Sequence, residues 1–266
     1  MTQPNDYLMR HLQAVPAFRA LLRSIEAQKM ASFAFARPVL DLGCGDGNFA
    51  RMTFAAPLDA GIDPSAVSIE EARRTHMYRE LKITDGLTIP YPDGHFASVM
   101  SNSVLEHIPN LDATLREVHR VLQPGGLFVF TTPSEHFAEY LFFPTLLRRL
   151  NLRNLATRYE NYFNRISRHC RTDSAAVWLT RLETYGLRVR AWHSYFTAQS
   201  SRLFDLLHYY SALTLLYKKV TGRWIIAPFA WNFVHLVPLL RRHVLDPDCS
   251  DGAYLFFVCQ RESGSA

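Results

Sequence analysis

Residues 39 to 50 read Val-Leu-Asp-Leu-Gly-Cys-Gly-Asp-Gly-Asn-Phe-Ala. Val39 to Leu42 is a short apolar run broken only by Asp41, which predicts a buried parallel strand, and Gly43, Gly45 and Gly47 predict a tight turn into a helix from about Asn48. Glycine at alternate positions admits positive φ and brings bare backbone against a ligand, while the helix start offers unpaired N–H groups. Such a turn suits a nucleotide. The dinucleotide fingerprint, however, is Gly-x-Gly-x-x-Gly, and here Asn48 stands where its third glycine belongs. Asp41 and Asp46 would repel a pyrophosphate and favour a ligand that bears positive charge.

On these residues the chain resembles the glycine-rich first motif of the class I S-adenosylmethionine-dependent methyltransferases, whose cofactor carries an ammonium and a sulfonium and no phosphate. The resemblance implies S-adenosyl-L-methionine as cofactor. It also implies an α/β, three-layer Rossmann-like fold with a mostly parallel seven-stranded sheet, an antiparallel last strand and helical insertions over the active site. Implied cofactor contacts in the loop are Asp41, Gly43, Cys44, Gly45 and Gly47, with Cys44 as a small apolar filler. Asp63 ends the predicted second strand, Leu58 to Asp63, twenty residues beyond Gly43, where a carboxylate can accept both hydroxyls of a ribose; a helix cap before Pro64 is the other reading. Asp85 and Gly86 leave a weak third strand, Leu81 to Thr84. The resemblance gives Asp85 the adenine amino group, although Asp-Gly also makes an ordinary turn. Asn102, at the end of the predicted strand His95 to Asn102, completes the implied set.

The resemblance continues through Val104-Leu-Glu-His-Ile108 and Arg120-Val-Leu-Gln-Pro-Gly-Gly-Leu127, which are similar to small-molecule methyltransferases including those of quinone and sterol biosynthesis. It runs from Val39 to Pro133. Ala97 departs from the family's aspartate, and Ser101-Asn102-Ser103-Val104 is not the Asn/Asp-Pro-Pro-Tyr tetrapeptide of many nitrogen methyltransferases. Leu111, Leu115, Val118 and Leu122 predict a helix with Thr114 and Glu117 at capping-box spacing, and Leu127 to Thr132 a fifth strand.

With 266 residues, 48% of them hydrophobic and 20% charged, the chain reads as one elaborated globular domain. We divide it into N-terminal helices (1–36, parted by Pro16), a cofactor-binding core (37–133), a helical cap insertion (134–185), final strands (186–197 and 253–260) and an apolar helical insertion (198–252). The formal charge of +5 permits an anionic partner, but the arginines between Arg148 and Arg190 are scattered as on solvated helical faces, and nucleic acid is not the expected partner. The four cysteines have neither zinc nor disulfide spacing, so no metal is predicted. Met-Thr-Gln-Pro-Asn-Asp lacks the start of a secretion signal, and the expected compartment is the cytoplasm.

Residues 203–243 hold many aromatic side chains and end in Arg241-Arg242, but the run from Trp224 to Leu240 is too short and too broken by proline for a membrane span. Packing on the first insertion, docking on a bilayer surface and dimerisation are three ways to cover it. The expected reaction is methyl transfer to a small, apolar or lipid-like acceptor, by O- or C-methylation. His107 has two readings: a general base for a hydroxyl, or a residue that ties down its own helix. His169, His193 and His208 are weaker candidates. A noncatalytic cofactor-binding module would show no turnover on a broad acceptor panel, and a nucleic-acid methyltransferase would show salt-dependent RNA or DNA binding.

Overall fold

Seven strands and the helices that follow them form one of two compact units, made of residues 31–135, 168–193 and 254–266. The computed structural model describes residues 6–211, 220–221, 233, 235–245 and 247–262. In this core unit the chain runs β1 (Val39–Leu42), α3 (Asn48–Thr53), β2 (Leu58–Asp63), α4 (Ala66–Arg73), β3 (Tyr78–Ile83), β4 (Phe96–Asn102), a 3₁₀ turn (Leu105–His107), α5 (Leu111–Val121), β5 (Leu122–Pro133), α8 (Ala175–Thr184), β6 (Leu187–Tyr195, its last two residues counted with the second unit) and β8 (Tyr254–Arg261). The strand order is β3-β2-β1-β4-β5-β8-β6, and β8 pairs antiparallel with β5. Strand order reverses at β1, with β2 on one side and β4 on the other. In open α/β sheets a ligand binds at the carboxyl ends of strands at such a point.

Alternation decides the two faces of this sheet. Leu40, Leu42, Ala60, Ile62 and Val99 join Leu111, Leu115 and Val118 of α5 and Trp178 and Leu182 of α8 in the main core. Val39, Leu58 and Met100 point to the other face and pack with Ala50, Phe49 and Tyr78. Sequence and structure part at four places. β5 begins at Leu122, five residues before the predicted Leu127 and on a residue assigned to the helix stripe of α5. The third strand begins at Tyr78, before the predicted Leu81, because this edge strand carries Arg79 and Glu80 outward and shows little apolar pattern. The cap of α5 is Asn110, whose Oδ1 accepts from the Ala113 amide, and the expected box is not formed. Thr114 is buried inside the helix, while Glu117 pairs with Arg120 at 2.7 Å and accepts from the Ile89 amide. An eighth strand is also present, described below.

The second unit comprises residues 1–30, 136–167 and 194–253. It contains α1 (Tyr7–Leu12), α2 (Ala17–Ala31), α6 (Phe142–Arg149), α7 (Arg153–Ile166), α9 (Ala198–Tyr210), α10 (Leu236–Leu245) and β7 (Asp248–Cys249), which pairs with Ser194 and Tyr195 at the end of β6. Two residues are too few to show a period in the sequence. Phe204 of α9 packs edge-on against Phe163 and Phe18, and Asp205 beside it accepts from the Phe143 amide and the Tyr159 hydroxyl, at 3.1 and 2.5 Å. The described start of the 198–252 insertion is thus packed on the first insertion. Arg241, which the bilayer alternative would turn toward headgroups, forms an ion pair with Asp6 at 2.7 Å. Tyr217, Lys218, Lys219, Trp224, Phe229 and Trp231, in the aromatic and basic stretch that the bilayer reading drew on, lie outside the described residues. Among the described residues, no helix is long and apolar enough to cross a membrane.

Phe130 is stacked between Phe128 and Phe257 at centroid distances of 4.9 and 5.1 Å and tilted against Trp178 at 5.0 Å. Phe130→Ala is expected to cost about 3–5 kcal/mol in urea denaturation. A loss below ~1 kcal/mol would mean that the stack relaxes around the cavity.

Candidate functional site

The loop after β1 is built from three glycines that serve different ends. Gly43, Gly45 and Gly47 have φ of +82°, +55° and +73°, a region that side chains strain to enter. A Cβ on Gly43 would overlap the Val104 side chain, and one on Gly47 would lie 2.9 Å from Thr75 Oγ1 and 3.0 Å from the Ala72 backbone. At Gly45 a Cβ would meet nothing within 4 Å. The first and third glycines are therefore required by packing, and only the middle one keeps an open face. The amides of Gly43 and Cys44 donate to the Ile62 carbonyl at 2.8 and 3.0 Å, and the Gly45 amide donates to Asp63 Oδ2 at 3.0 Å.

Asp63 closes the far side of this loop. Its Oδ1 accepts from the Ser65 amide at 2.9 Å, while Ser65 itself caps α4. Each carboxylate oxygen holds one N–H and has a second lone pair to give, so the arrangement combines the cap-like reading with capacity for the hydroxyls of a sugar. Asp41 is buried, and the Tyr78 hydroxyl donates to its Oδ2 at 2.7 Å. Burial pushes its carboxyl up to about 7, against the lowering by Tyr78 and helped by the charge of Asp63. Burial, with Asp41 and Asp63 beside it, also holds the Cys44 thiol far above its usual range, so the thiol stays protonated and unreactive. Asp46 accepts from the Asn48 amide and side chain at 3.0 and 2.7 Å, which places its charge at the start of α3.

The other predicted positions lie along the same edge of the sheet. Asp85 is exposed two residues beyond β3, its Oδ1 accepting from the Leu87 amide at 3.0 Å, and Gly86 follows at φ +79°. Asn102 ends β4 with a buried side chain whose Oδ1 accepts from Thr131 Oγ1 at 2.9 Å. Carboxylates thus stand on, at the end of, and just past three adjacent parallel strands, β1, β2 and β3. His107 ends the 3₁₀ turn beyond β4. Its Nδ1 lies 3.0 Å from the Arg168 carbonyl, so Nδ1 is the protonated nitrogen, and the contact reaches a segment 61 residues away. Its ring lies 5.4 Å from that of His169, whose pKa burial lowers to about 4. His193 stacks on Phe256, and His208 sits among Phe18 and Phe163. Sequence reasoning missed Tyr78 on Asp41, Val104 over Gly43, and the approach of His169 to Glu106 and His107, which are 63 and 62 residues away in the chain. No spacing signal announces such contacts.

A glycine turn with one open face, ringed by acidic groups at the reversal point of a parallel sheet, defines an α/β protein that binds a nucleoside with a cationic arm. A family model described as a methyltransferase domain matches residues 10–191, and the chain belongs to this family, that of the class I S-adenosylmethionine-dependent methyltransferases. A fatty-acid O-methyltransferase of Mycolicibacterium smegmatis is 35% identical over 98 residues, 35% of this chain and 36% of that protein. The chain spans about a third to a half of the length of the curated relatives it matches. Among solved structures, geranyl diphosphate C-methyltransferase of Streptomyces coelicolor A3(2) superposes with a TM-score of 0.52 at 15% identity, covering 92% of this chain and 82% of that one. The [4+2]-cyclase SpnF gives a TM-score of 0.54 at 19% identity, covering 93% and 82%. These last two likenesses are of fold.

The glycines separate stability from binding. Gly43→Ala should destabilise the fold by about 2–4 kcal/mol in urea, from the overlap with Val104 added to the strained φ. Gly45→Ala should cost only about 1–2 kcal/mol of stability but weaken S-adenosylhomocysteine binding by about tenfold or more in calorimetry. Equal affinity for the Gly45 variant would show that no ligand approaches that backbone.

Proposed function

We propose that the chain transfers a methyl group from S-adenosylmethionine to a small, apolar or lipid-like acceptor, by O- or C-methylation. The observation that carries the reading is the open face of Gly45, whose amide is held by the Asp63 carboxylate, in a loop that also carries Asp46 and follows the buried Asp41. When bound, the cofactor supplies a methyl already activated by its sulfonium, so the protein's part is alignment and exclusion of water, and alignment alone can remove roughly 7 to 11 kcal/mol of barrier. Asp63 would accept the ribose hydroxyls, Asp85 the adenine amino group, and Asp41 would face the ammonium. Gly43, Cys44, Gly47, Gly86 and Asn102 would shape the cradle. The fatty-acid O-methyltransferase that this chain resembles in sequence supports an apolar acceptor. If a hydroxyl is methylated, His107 could take its proton only at Nε2, since Nδ1 donates to Arg168.

The cyclase on the same fold makes turnover the deciding measurement. Isotope-labelled S-adenosylmethionine, offered with hydroxylated and unsaturated lipids of graded chain length, should transfer label to one class; tight cofactor binding with no transfer to any would turn the reading to a noncatalytic module. A pH dependence follows from Asp41. Only its ionised form attracts an ammonium, and with its carboxyl near 7 the affinity for S-adenosylhomocysteine should rise as pH increases from about 6 to 8. Asp41→Asn should flatten that rise, and a wild-type affinity independent of pH across this window would remove Asp41 from the ammonium site.

A further inference from the structure

We propose that Glu106, His107 and His169 form a binding site for a divalent transition-metal ion of the zinc type. The three residues come from two segments of the core unit: the 3₁₀ turn that follows β4, and the stretch that begins at Arg168. One ligand atom from each lies within 4.8 Å of the other two. Zinc binds imidazole nitrogen and carboxylate oxygen at about 2.0–2.2 Å, so tetrahedral neighbours are roughly 3.4 Å apart. His107 Nε2 and Glu106 Oε1 are 3.8 Å apart, beyond hydrogen-bond reach and close to the span of two ligands on one ion.

The orientation of His107 is the second, independent sign. Its Nδ1–H donates to a backbone carbonyl, which fixes the tautomer and places the lone pair on Nε2, the atom nearest Glu106; once an ion is bound, that lone pair no longer serves as a base. Histidines that bind metals are held in this way, with the other ring nitrogen donating to a carbonyl or carboxylate. Arg168, which supplies the carbonyl, sits at φ +59°, an uncommon conformation for a residue with a side chain.

The two segments are also fastened together without using the three ligand groups. The Cys170 amide donates to the Glu106 carbonyl at 2.8 Å. Arg171 donates to the carbonyls of Leu105, Ile108 and Pro109, at 3.2, 2.5 and 3.0 Å. Glu106 and His169 are thereby held side by side before any ion arrives, which is the preorganisation a metal site needs. Cys170 is not a fourth ligand here, since its Sγ donates to the His107 carbonyl at 3.5 Å.

Chemistry selects the ion. Two imidazoles and one carboxylate suit zinc and its neighbours, whereas magnesium prefers an all-oxygen shell. Glu106 is buried and His107 exposed, so an ion would be reached from the His107 side and keep a position for an oxygen ligand, which it would acidify. The cysteine spacing gave no hint of this set, because none of its ligands is a cysteine.

The test uses the full chain, stripped with chelator and titrated with Zn²⁺ against a competing dye, and with Co²⁺ for its visible absorption. One equivalent should bind, magnesium should not displace it, and His107→Ala and His169→Ala should each weaken it by at least about tenfold. S-adenosylhomocysteine affinity of the His169 variant should equal that of wild type, which reports on folding and on the methyltransferase reading separately from the metal. Glu106→Gln should act like the histidine variants; if it does not fold, the two histidine variants decide. Absence of stoichiometric binding, or binding unchanged in the His107→Ala, His169→Ala double variant, overturns the proposal.

Discussion

The hydrogen bond from the Gly45 amide to the Asp63 carboxylate joins the loop after β1 to the end of β2, and the shape of the cofactor site depends on it. It is available only because the loop turns back through three positive-φ glycines, and it holds the open face of Gly45 beside a carboxylate with lone pairs to spare. The packing of Val104 over Gly43 extends the same constraint to β4, since Val104 opens the stretch that leads to Glu106 and His107. The loop, the Asp63 carboxylate and the turn after β4 are one mechanical assembly.

Buried carboxylates recur as organising groups in both units. Asp41 is held beneath the loop by Tyr78. In the helical unit Asp205 accepts from the first turn of α6 and from Tyr159, and buried Glu26 accepts from Arg23 at 2.8 Å. An apolar interior penalises each charge, which is why burial raises the carboxyl groups of both Asp41 and Asp205. In Asp205 the bonds offset that penalty in order to fix two helices. In Asp41 the Tyr78 hydrogen bond offsets only part of that penalty.

Much of the core was legible in the sequence because its signals are local. The glycine spacing at 43, 45 and 47, the apolar runs at 39–42 and 58–63 and the placement of Asp63 each follow from a few adjacent residues, and the structure places β1, α3 and β2 where those residues predict. Edge strand β3 was shortened because its outward residues are polar, and β7 was invisible because two residues carry no period. The cap of α5 was misread for a similar reason: Thr114 and Glu117 have the right spacing, but Thr114 is needed in the core and Glu117 is taken by Arg120.

What the sequence by itself determined is the class of site, since a glycine turn flanked by acids fixes both backbone approach and sign of charge within a dozen residues. Tertiary structure decided how those residues divide the work. Only packing distinguishes Gly45 from Gly43 and Gly47, because the three have the same sequence signature and differ in what stands opposite their missing Cβ. Only burial makes Asp41 differ from Asp46, and only chain return brings His169 to His107. Those assignments depend on groups far apart in sequence, whose meeting is set by the sheet and by the carbonyls that Arg171 holds.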